Sequence, residues 1–250
     1  MNVRTLCPTG LPRSNRRTFI RTATALSAAT LTPRRSLAEE DTDDLLFSSV
    51  MSLSKAIRSG KISSHEIVKA CLERIESINS KINGVVTLAG ERAIEQARLA
   101  DAQLAKGELR GVLHGVPMTI KDSLDTEGVV STAGTLGRRE FVPSADATVV
   151  SRLRAAGAIL LGKTNTPEFT MSYDTRNLVF GFTQNPYDVT KSPGGSSGGA
   201  AATIACGGTP FDIGSDTGGS IRVPSAFCGT AGIKPTSGRV PLTGHITVSY

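Results

Sequence analysis

Hydrophobic positions in the first third of the chain recur at the three- and four-residue spacing of an amphipathic helix. The segment begins with a capping box, S-x-x-E, in which Ser63 and Glu66 are each expected to accept a hydrogen bond from the other's backbone N–H. The pattern that follows predicts a helix with one buried face. That face is made of Ile67, Cys71, Ile75 and Ile78.

The same spacing predicts two further helices. One runs from about Glu91 to Lys106 and is ended by Gly107. Its predicted buried residues are Ile94, Ala97 and Leu104. The other covers the letters TVVSRLRAAGA, with Asp146 as its N-cap and Gly157 at its end.

Short apolar runs predict two buried strands among these helices. The first, GVPMTI, immediately precedes Lys121, and the second, AILLG, follows the third helix. Strands therefore alternate with helices, which is typical of layered α/β proteins. The sequence predicts a fold of that class.

The positive charge of the chain is confined to its beginning. The formal net charge is +6, but residues 1–38 contain seven of the 28 basic residues and no acidic residue. The rest of the chain carries 21 basic and 22 acidic side chains, a net charge of −1. This part therefore gives no electrostatic reason to expect nucleic acid as a partner.

Residues 1–38 have the features of a twin-arginine export signal. Arg16 and Arg17 precede a mildly apolar Ala/Thr/Leu stretch, and the letters SLA offer small residues for cleavage after Ala38. We expect a periplasmic or secreted protein with one domain over residues 39–250. The alternatives for the leader are a disordered basic tail or a short anchor helix, and the alternative location is the cytoplasm. The apolar stretch is too short to span a bilayer, so no stable membrane anchor is expected.

Cysteine and histidine are too few and too scattered to predict a disulfide framework or a metal site. The four cysteines include no C-x-x-C pair, and the three histidines show no H-x-x-x-H or H-x-H spacing. Isolated cysteines among small residues are typical of buried positions. We expect no metal and no cofactor.

Glycine is concentrated late in the chain, where 12 of the 26 glycines lie between residues 194 and 238. The stretch KSPGGSSGGAAA lacks the lysine of a P-loop and the preceding strand of a dinucleotide-binding loop. Its match to G-x-S-x-G lacks the entering strand of a nucleophile elbow, and only His245 follows it. A flexible surface loop is the remaining alternative to a catalytic role.

A second stretch, GSDTGGSIRVPSAFCGTAGIKP, also places a serine after two glycines. Between Thr217 and Ser220 the backbone can present consecutive N–H groups to an oxyanion, as in an anion-binding nest. No histidine is suitably placed as a base, but a lysine neutralised by burial can take that role. Lys121 ends an apolar strand and meets this condition; an ion pair with Asp122 is the alternative.

Four stretches, in this order, resemble the amidase signature family: GVLHGVPMTIKDSLDTEGVVSTAGT, AILLGKTNTPEF, NPYDVTKSPGGSSGGAAA and GSDTGGSIRVPSAFCGTAGIKP. The resemblance runs from about Ser52 to Gly238, and MSYDTRN with TKSPGGSSGG is similar to the fatty acid amide hydrolase branch. It implies the amidase signature fold, a mixed central sheet flanked by helices. Members of the family continue beyond the last motif, so we expect this chain to be the N-terminal part of a truncated fold.

The resemblance also implies a Ser–cis-Ser–Lys triad that hydrolyses amides through an acyl-enzyme. By motif match Ser220 is the nucleophile, Ser196, preceded by a cis peptide bond, is the bridging serine, and Lys121 is the base. The implied oxyanion donors are the backbone N–H groups of Thr217, Gly218, Gly219 and Ser220.

Two further groups of residues acquire implied roles from the same resemblance. Ser197, Asp216 and Arg222 match a network that braces the two glycine-serine loops; a plain surface ion pair is the alternative for the last two. The segment Met171, Ser172 and Tyr173 is expected to contact the substrate.

The expected function is hydrolysis of a small-molecule amide to a carboxylate and ammonia or an amine. One alternative is the A subunit of a tRNA-dependent amidotransferase, against which the export leader argues. The other is a catalytically silent fragment. The sequence predicts no oligomeric state.

Overall fold

A computed structural model describes residues 44–246 of the chain. The predicted export leader, residues 1–38, lies outside the described residues. The helices are α1 (Val50–Arg58), α2 (Ser64–Ile82), α3 (Gly90–Ala105), α4 (Thr148–Ala155), α5 (Gly198–Ala205) and α6 (Arg222–Cys228). The strands are β1 (Val85–Leu88), β2 (Pro117–Lys121), β3 (Ile159–Thr164), β4 (Arg176–Asn177), β5 (Gly181–Phe182) and β6 (Asp212–Ile213). Two 3-10 turns cover Leu136–Arg138 and Glu168–Thr170.

Four strands form a mixed sheet in the order β1-β3-β2-β6. β2 is parallel to both of its neighbours, β3 and β6, whereas β1 runs antiparallel to β3. The predicted α/β fold with a mixed central sheet is therefore confirmed. Because β2, β3 and β6 are parallel, their carboxyl ends lie at one edge, where ligand sites of such sheets are usually found.

Helices cover both faces of this sheet. One apolar cluster joins the face that carries Ile159 and Leu161 of β3 to α1, α2 and α3. A second joins the opposite face, which carries Met118 and Ile120 of β2, to α4. A third cluster packs the end of α2 against α5 and α6.

Helix α2 begins as the sequence predicts. Ser63 Oγ accepts from the Glu66 N–H at 3.1 Å, and Glu66 Oε2 accepts from the Ser63 N–H at 2.8 Å. The predicted face is also confirmed, because its four residues are all buried; these are Ile67, Cys71, Ile75 and Ile78. Asn83 ends the helix in the left-handed conformation.

Helix α3 is confirmed in place, but its buried face differs from the prediction. The fully buried residues are Ala93, Ala97 and Ala100, whereas Ile94 and Leu104 are half-buried at the margin of the core. Small side chains occupy the centre of the contact because α3 packs closely against α2.

The predicted N-cap of α4 is wrong. The helix begins after Ala147 without a side-chain cap. The Asp146 carboxylate instead accepts from Arg154 at 2.9 Å and from the Glu127 N–H at 2.8 Å. The ion pair with an arginine near the end of the same helix, which no local signal indicates, directs the carboxylate away from the first turn.

Within the described range, no helix is long and apolar enough to cross a membrane.

Replacing the capping serine should destabilise the domain measurably. We expect Ser63→Ala to lower the free energy of unfolding by about 1 kcal/mol, because the N–H of Glu66 loses its acceptor. The measurement is urea denaturation followed by circular dichroism. Ser77→Ala, at an exposed position of the same helix, is the matched control and should change stability by less than about 0.5 kcal/mol. Equal losses in both variants would contradict a specific capping effect.

Candidate active site

The candidate site lies at the carboxyl edge of the parallel strands. Lys121 is the last residue of β2, and Thr164 is the last residue of β3. The loop that follows β6 runs through residues 214–220 to the start of α6, and Ser196 and Ser197 stand directly before α5. Strand order thus brings three separate segments to one edge.

Lys121 is fully buried and is surrounded by serine hydroxyls. Its Nζ lies 2.6 Å from Ser196 Oγ, 3.0 Å from Ser197 Oγ and 3.0 Å from Ser215 Oγ. An ammonium group has three N–H donors, so three acceptors satisfy it completely. The neutral amine has two donors and one lone pair, and then one of these hydroxyls donates to the nitrogen instead.

Burial lowers the pKa of the Lys121 amine from 10.5 to about 7, even though the carboxylates of Asp212 and Asp216 raise it. Near neutral pH the amine can therefore exist without its proton. The alternative ion pair with Asp122 is not formed. The Asp122 carboxylate instead accepts from the hydroxyl and the N–H of Thr132.

The GGSSGG block approaches neighbouring backbone closely. The peptide bond between Gly195 and Ser196 is cis. A Cβ on Gly195 would lie 2.7 Å from Ser172 O, closer than real side chains approach. A Cβ on Gly199 would likewise lie 2.4 Å from Asn165 N. The density of glycine in this block follows from these contacts, which place Ser196 against Lys121.

Ser220 lies beside the block, but among the described residues its side chain forms no hydrogen bond to the other two predicted catalytic side chains. It is half-buried, and its backbone carbonyl accepts from the Ser197 N–H at 3.0 Å. Within residues 44–246 no hydrogen bond joins Ser220 Oγ to Ser196 Oγ. Catalytic hydrogen bonds are often long in substrate-free sites and shorten when substrate binds.

The predicted oxyanion donors differ in their availability. The N–H groups of Thr217, Gly218 and Ser220 form no hydrogen bond within the described part of the chain. The Gly219 N–H, in contrast, donates to Asp216 Oδ1 at 2.8 Å, so in this structure it is not open to a ligand. Gly219 has a φ of +129°, which a residue with a side chain rarely adopts.

Asp216 and Arg222 form more than a surface ion pair. The Asp216 side chain is fully buried, and the Arg222 guanidinium donates to both of its oxygens, at 2.9 and 3.0 Å. The carboxylate also accepts from the N–H groups of Gly219 and Ile221. Partial desolvation raises the pKa of Asp216, but these donors outweigh it and hold the pKa well below its usual range. The loop is thus tied to one charged centre.

The predicted substrate segment lies between the two glycine-serine loops and is exposed. Met171 and Tyr173 are 66% and 58% exposed, and Ser172 is exposed as well. The Tyr173 hydroxyl donates to Gly218 O at 2.9 Å, so the segment contacts the loop of the predicted nucleophile.

Sequence reasoning missed two polar groups near the site. Ser215 supplies the third hydroxyl that contacts Lys121. It belongs to the same motif as Ser220, and this nearness in sequence to the predicted nucleophile was the signal that could have identified it. Lys163 is a second fully buried lysine, signalled only by a charge within an apolar strand. Its Nζ donates to Thr126 Oγ1 at 2.7 Å and to Ser131 Oγ at 3.1 Å. Lys163 thereby holds the loop that follows Lys121.

Histidine takes no part in the contacts of Lys121. His245 Nε2 lies 3.0 Å from Ser123 Oγ, and burial together with the charge of Lys121 lowers the pKa of its ring to about 4. No metal-binding group of three or more histidine, cysteine or acidic residues occurs among residues 44–246. The groups that contact the Lys121 amine are the hydroxyls of Ser196, Ser197 and Ser215.

A family model described as amidase matches residues 66–250 of the chain. Among solved structures, fatty acid amide hydrolase superposes with a TM-score of 0.81 at 31% identity, covering 84% of this chain and 37% of that one. The peptide amidase of Stenotrophomonas maltophilia has a TM-score of 0.76 at 35% identity, covering 81% and 43%.

Similar curated proteins carry another name. The chain is 46% identical over 197 residues to the A subunit of glutamyl-tRNA(Gln) amidotransferase from Alkaliphilus metalliredigens, covering 79% of this chain. It is 50% identical over 186 residues to the corresponding protein of Heliobacterium modesticaldum, covering 74% of this chain. The chain spans about 40% of the length of these relatives.

Proposed function

The chain belongs to the amidase family, and from this premise we propose that it hydrolyses a carboxylic amide through an acyl-enzyme formed on Ser220. The observation that carries the proposal is the contact of 2.6 Å between Lys121 Nζ and Ser196 Oγ at the carboxyl edge of the sheet. A buried lysine with a lowered pKa can serve as a base where no histidine is present.

Lys121 acts as a base in its neutral form. It accepts the proton of Ser196 Oγ, while Ser196 accepts the proton of Ser220 Oγ. The bond from Ser220 Oγ to the amide carbon forms, and the carbonyl oxygen becomes an oxyanion. The open N–H groups of Thr217, Gly218 and Ser220 are the donors that can stabilise this charge.

The same relay completes the reaction in reverse. Lys121 returns its proton through Ser196 to the amide nitrogen, the carbon–nitrogen bond breaks, and ammonia or an amine leaves. A water molecule then gives a proton to the relay and attacks the ester carbon, which releases the carboxylate and restores the Ser220 hydroxyl. Asp216 and Arg222 support these steps by fixing the loop that carries Ser220.

Two alternatives follow from the relatives and from the share of their length that the chain spans. The first alternative, favoured by the sequence identity to the A subunits of amidotransferases, is a protein that hydrolyses an amide and supplies the ammonia to a partner. Release of ammonia from simple carboxamides by the purified protein alone would favour the independent hydrolase. A catalytically silent fragment would show neither that activity nor covalent labelling.

Ser220→Ala should abolish covalent labelling by a fluorophosphonate probe. The variant lacks the nucleophilic oxygen, whereas Ser196→Ala keeps it and should label about 100-fold more slowly because the relay is broken. The measurement is in-gel fluorescence after timed exposure to the probe. Ser151→Ala, at an exposed position on α4, is the control and should label at the parent rate. Persistent labelling of the Ser220→Ala protein would move the nucleophile elsewhere.

The second-order rate constant of that labelling should rise with pH through about 7. Lys121 must be neutral to accept a proton, so the rate is low below the pKa of its amine and reaches a plateau above it. Lys121→Arg keeps the positive charge but cannot lose its proton, so it should label at less than about 1% of the parent rate. An active arginine variant with the parent pH profile would contradict the relay.

We also propose that residues 1–38 direct export of the protein through the twin-arginine route. The supporting observations are Arg16 and Arg17 ahead of an apolar stretch and the absence of acidic residues before position 39. Replacing both arginines with lysine should leave the precursor inside the cell, as measured by fractionation and immunoblotting. The matched control replaces Arg34 and Arg35 with lysine, and this double variant should still be exported. Export of the first double variant would exclude this route.

A further inference from the structure

A buried carboxyl group lies on the same face of the sheet as Lys121. Asp212 of β6 pairs with Thr119 of β2 in the parallel register. Thr119 and Lys121 are two residues apart, so their side chains point to the same face of the strand. Asp212 is therefore the diagonal neighbour of Lys121 across the sheet.

The contacts of Asp212 bring its carboxyl group across β2. Its Oδ2 accepts from the Thr164 hydroxyl of β3 at 2.9 Å, and Thr164 is the register partner of Lys121. The strands that carry Asp212 and Thr164 lie on opposite sides of β2, so their side chains meet over that strand. Asp212 Oδ1 is buried and has no hydrogen-bond partner within residues 44–246.

The charged groups around Lys121 are few, and most have other partners. Asp216 is bound to the Arg222 guanidinium. His245 is neutral near pH 7, because the pKa of its ring is lowered to about 4. Lys163 extends from the other face of the sheet, where Asp122 and Asp125 also act on it. Asp212 is thus the buried acid on the Lys121 face that has no arginine partner among the described residues.

We propose that Asp212 is a positioning residue for the reaction, whose buried carboxylate acts through Lys121 and strengthens the hold of that amine on its proton. The inference rests on the proposed function, in which Lys121 is the base. Burial alone weakens the base, and a base that holds the proton too weakly cannot take it from a serine. The negative charge of Asp212 opposes that effect without a direct ion pair, so the three donors of Lys121 stay on the serines.

The electrostatics of the two groups agree with this arrangement. Asp212 is the largest charged contribution that raises the pKa of Lys121 against burial. The pKa of the Asp212 carboxyl is raised in turn, because burial outweighs the groups that lower it, among them the Thr164 hydroxyl that donates to Oδ2 and the positive charges of Lys121 and Lys163. The hydroxyl of Thr164 therefore favours the ionised form of Asp212.

Asp212→Asn removes the charge and preserves the shape of the side chain. The acid limb is the part of the pH profile in which the rate of fluorophosphonate labelling rises as Lys121 loses its proton. We expect its midpoint to shift to lower pH by about one unit. The rate at pH 6, relative to the plateau, should then increase about fivefold, because more of Lys121 is neutral. Thr164→Val removes the donor to Oδ2 and should move the limb in the same direction by a smaller amount. The plateau rate of Asp212→Asn should fall, since a less basic amine is a weaker base.

Asp125→Asn is the matched control. It removes an acid that pairs with Arg138 and acts on Lys163, so the acid limb should stay at its parent position. A limb that is unchanged or moves upward in Asp212→Asn overturns the inference. If that variant does not fold, an unchanged limb in Thr164→Val overturns it, and failure of both to fold assigns Asp212 to stability alone. A parent profile without any limb near pH 7, or an active Lys121→Arg protein, would overturn the proposed function instead.

Discussion

The arrangement of the site depends on one constraint, the burial of a lysine amine at the end of the central strand. An ammonium group can be buried only if its donors are satisfied, and the neutral form becomes easier to reach as water is removed. Three serine hydroxyls from two loops meet this requirement for Lys121. The hydroxyls that accept hydrogen bonds from the buried amine are therefore the same groups that form the proposed path for the proton.

The glycine-rich loops follow from that constraint. Their serines can reach Lys121 only if the backbone on both sides packs almost directly against neighbouring segments, as it does at Gly195 and Gly199. The second loop needs a different support, because residues 217–220 must keep several N–H groups open. Asp216 supplies it by collecting the remaining N–H groups of the loop, together with Arg222, around one carboxylate.

The sheet carries two buried lysines, one on each face, and they contact different loops. Lys121 faces the serines, whereas Lys163 faces the loop that leaves β2 and holds it through hydroxyl contacts. Burial lowers the pKa of Lys163 to about 8, a smaller change than for Lys121. The carboxylates of Asp122, Asp125 and Asp212 oppose this effect and raise the pKa of Lys163.

The sequence by itself determined the features that depend on neighbours a few residues away. The capping box at Ser63, the buried face of α2 and the apolar strand that ends at Lys121 were all predicted, and the α/β class followed from their order. Lys121 was also selected as a base by its place at the end of an apolar strand, whereas the role of Ser196, 75 residues further along the chain, came only from resemblance to a family. Where a long-range contact overrode a local signal, as at Asp146, the prediction was wrong.

Only the tertiary structure decided which groups meet across the sheet. β6 has two residues, too few for any periodic pattern, so nothing in the sequence placed Asp212 beside Lys121. The use of the Gly219 N–H by Asp216, and the third hydroxyl from Ser215, likewise depend on backbone conformation that residue types do not specify. Strand register and loop closure set these contacts, and both are fixed by packing between segments far apart in the chain.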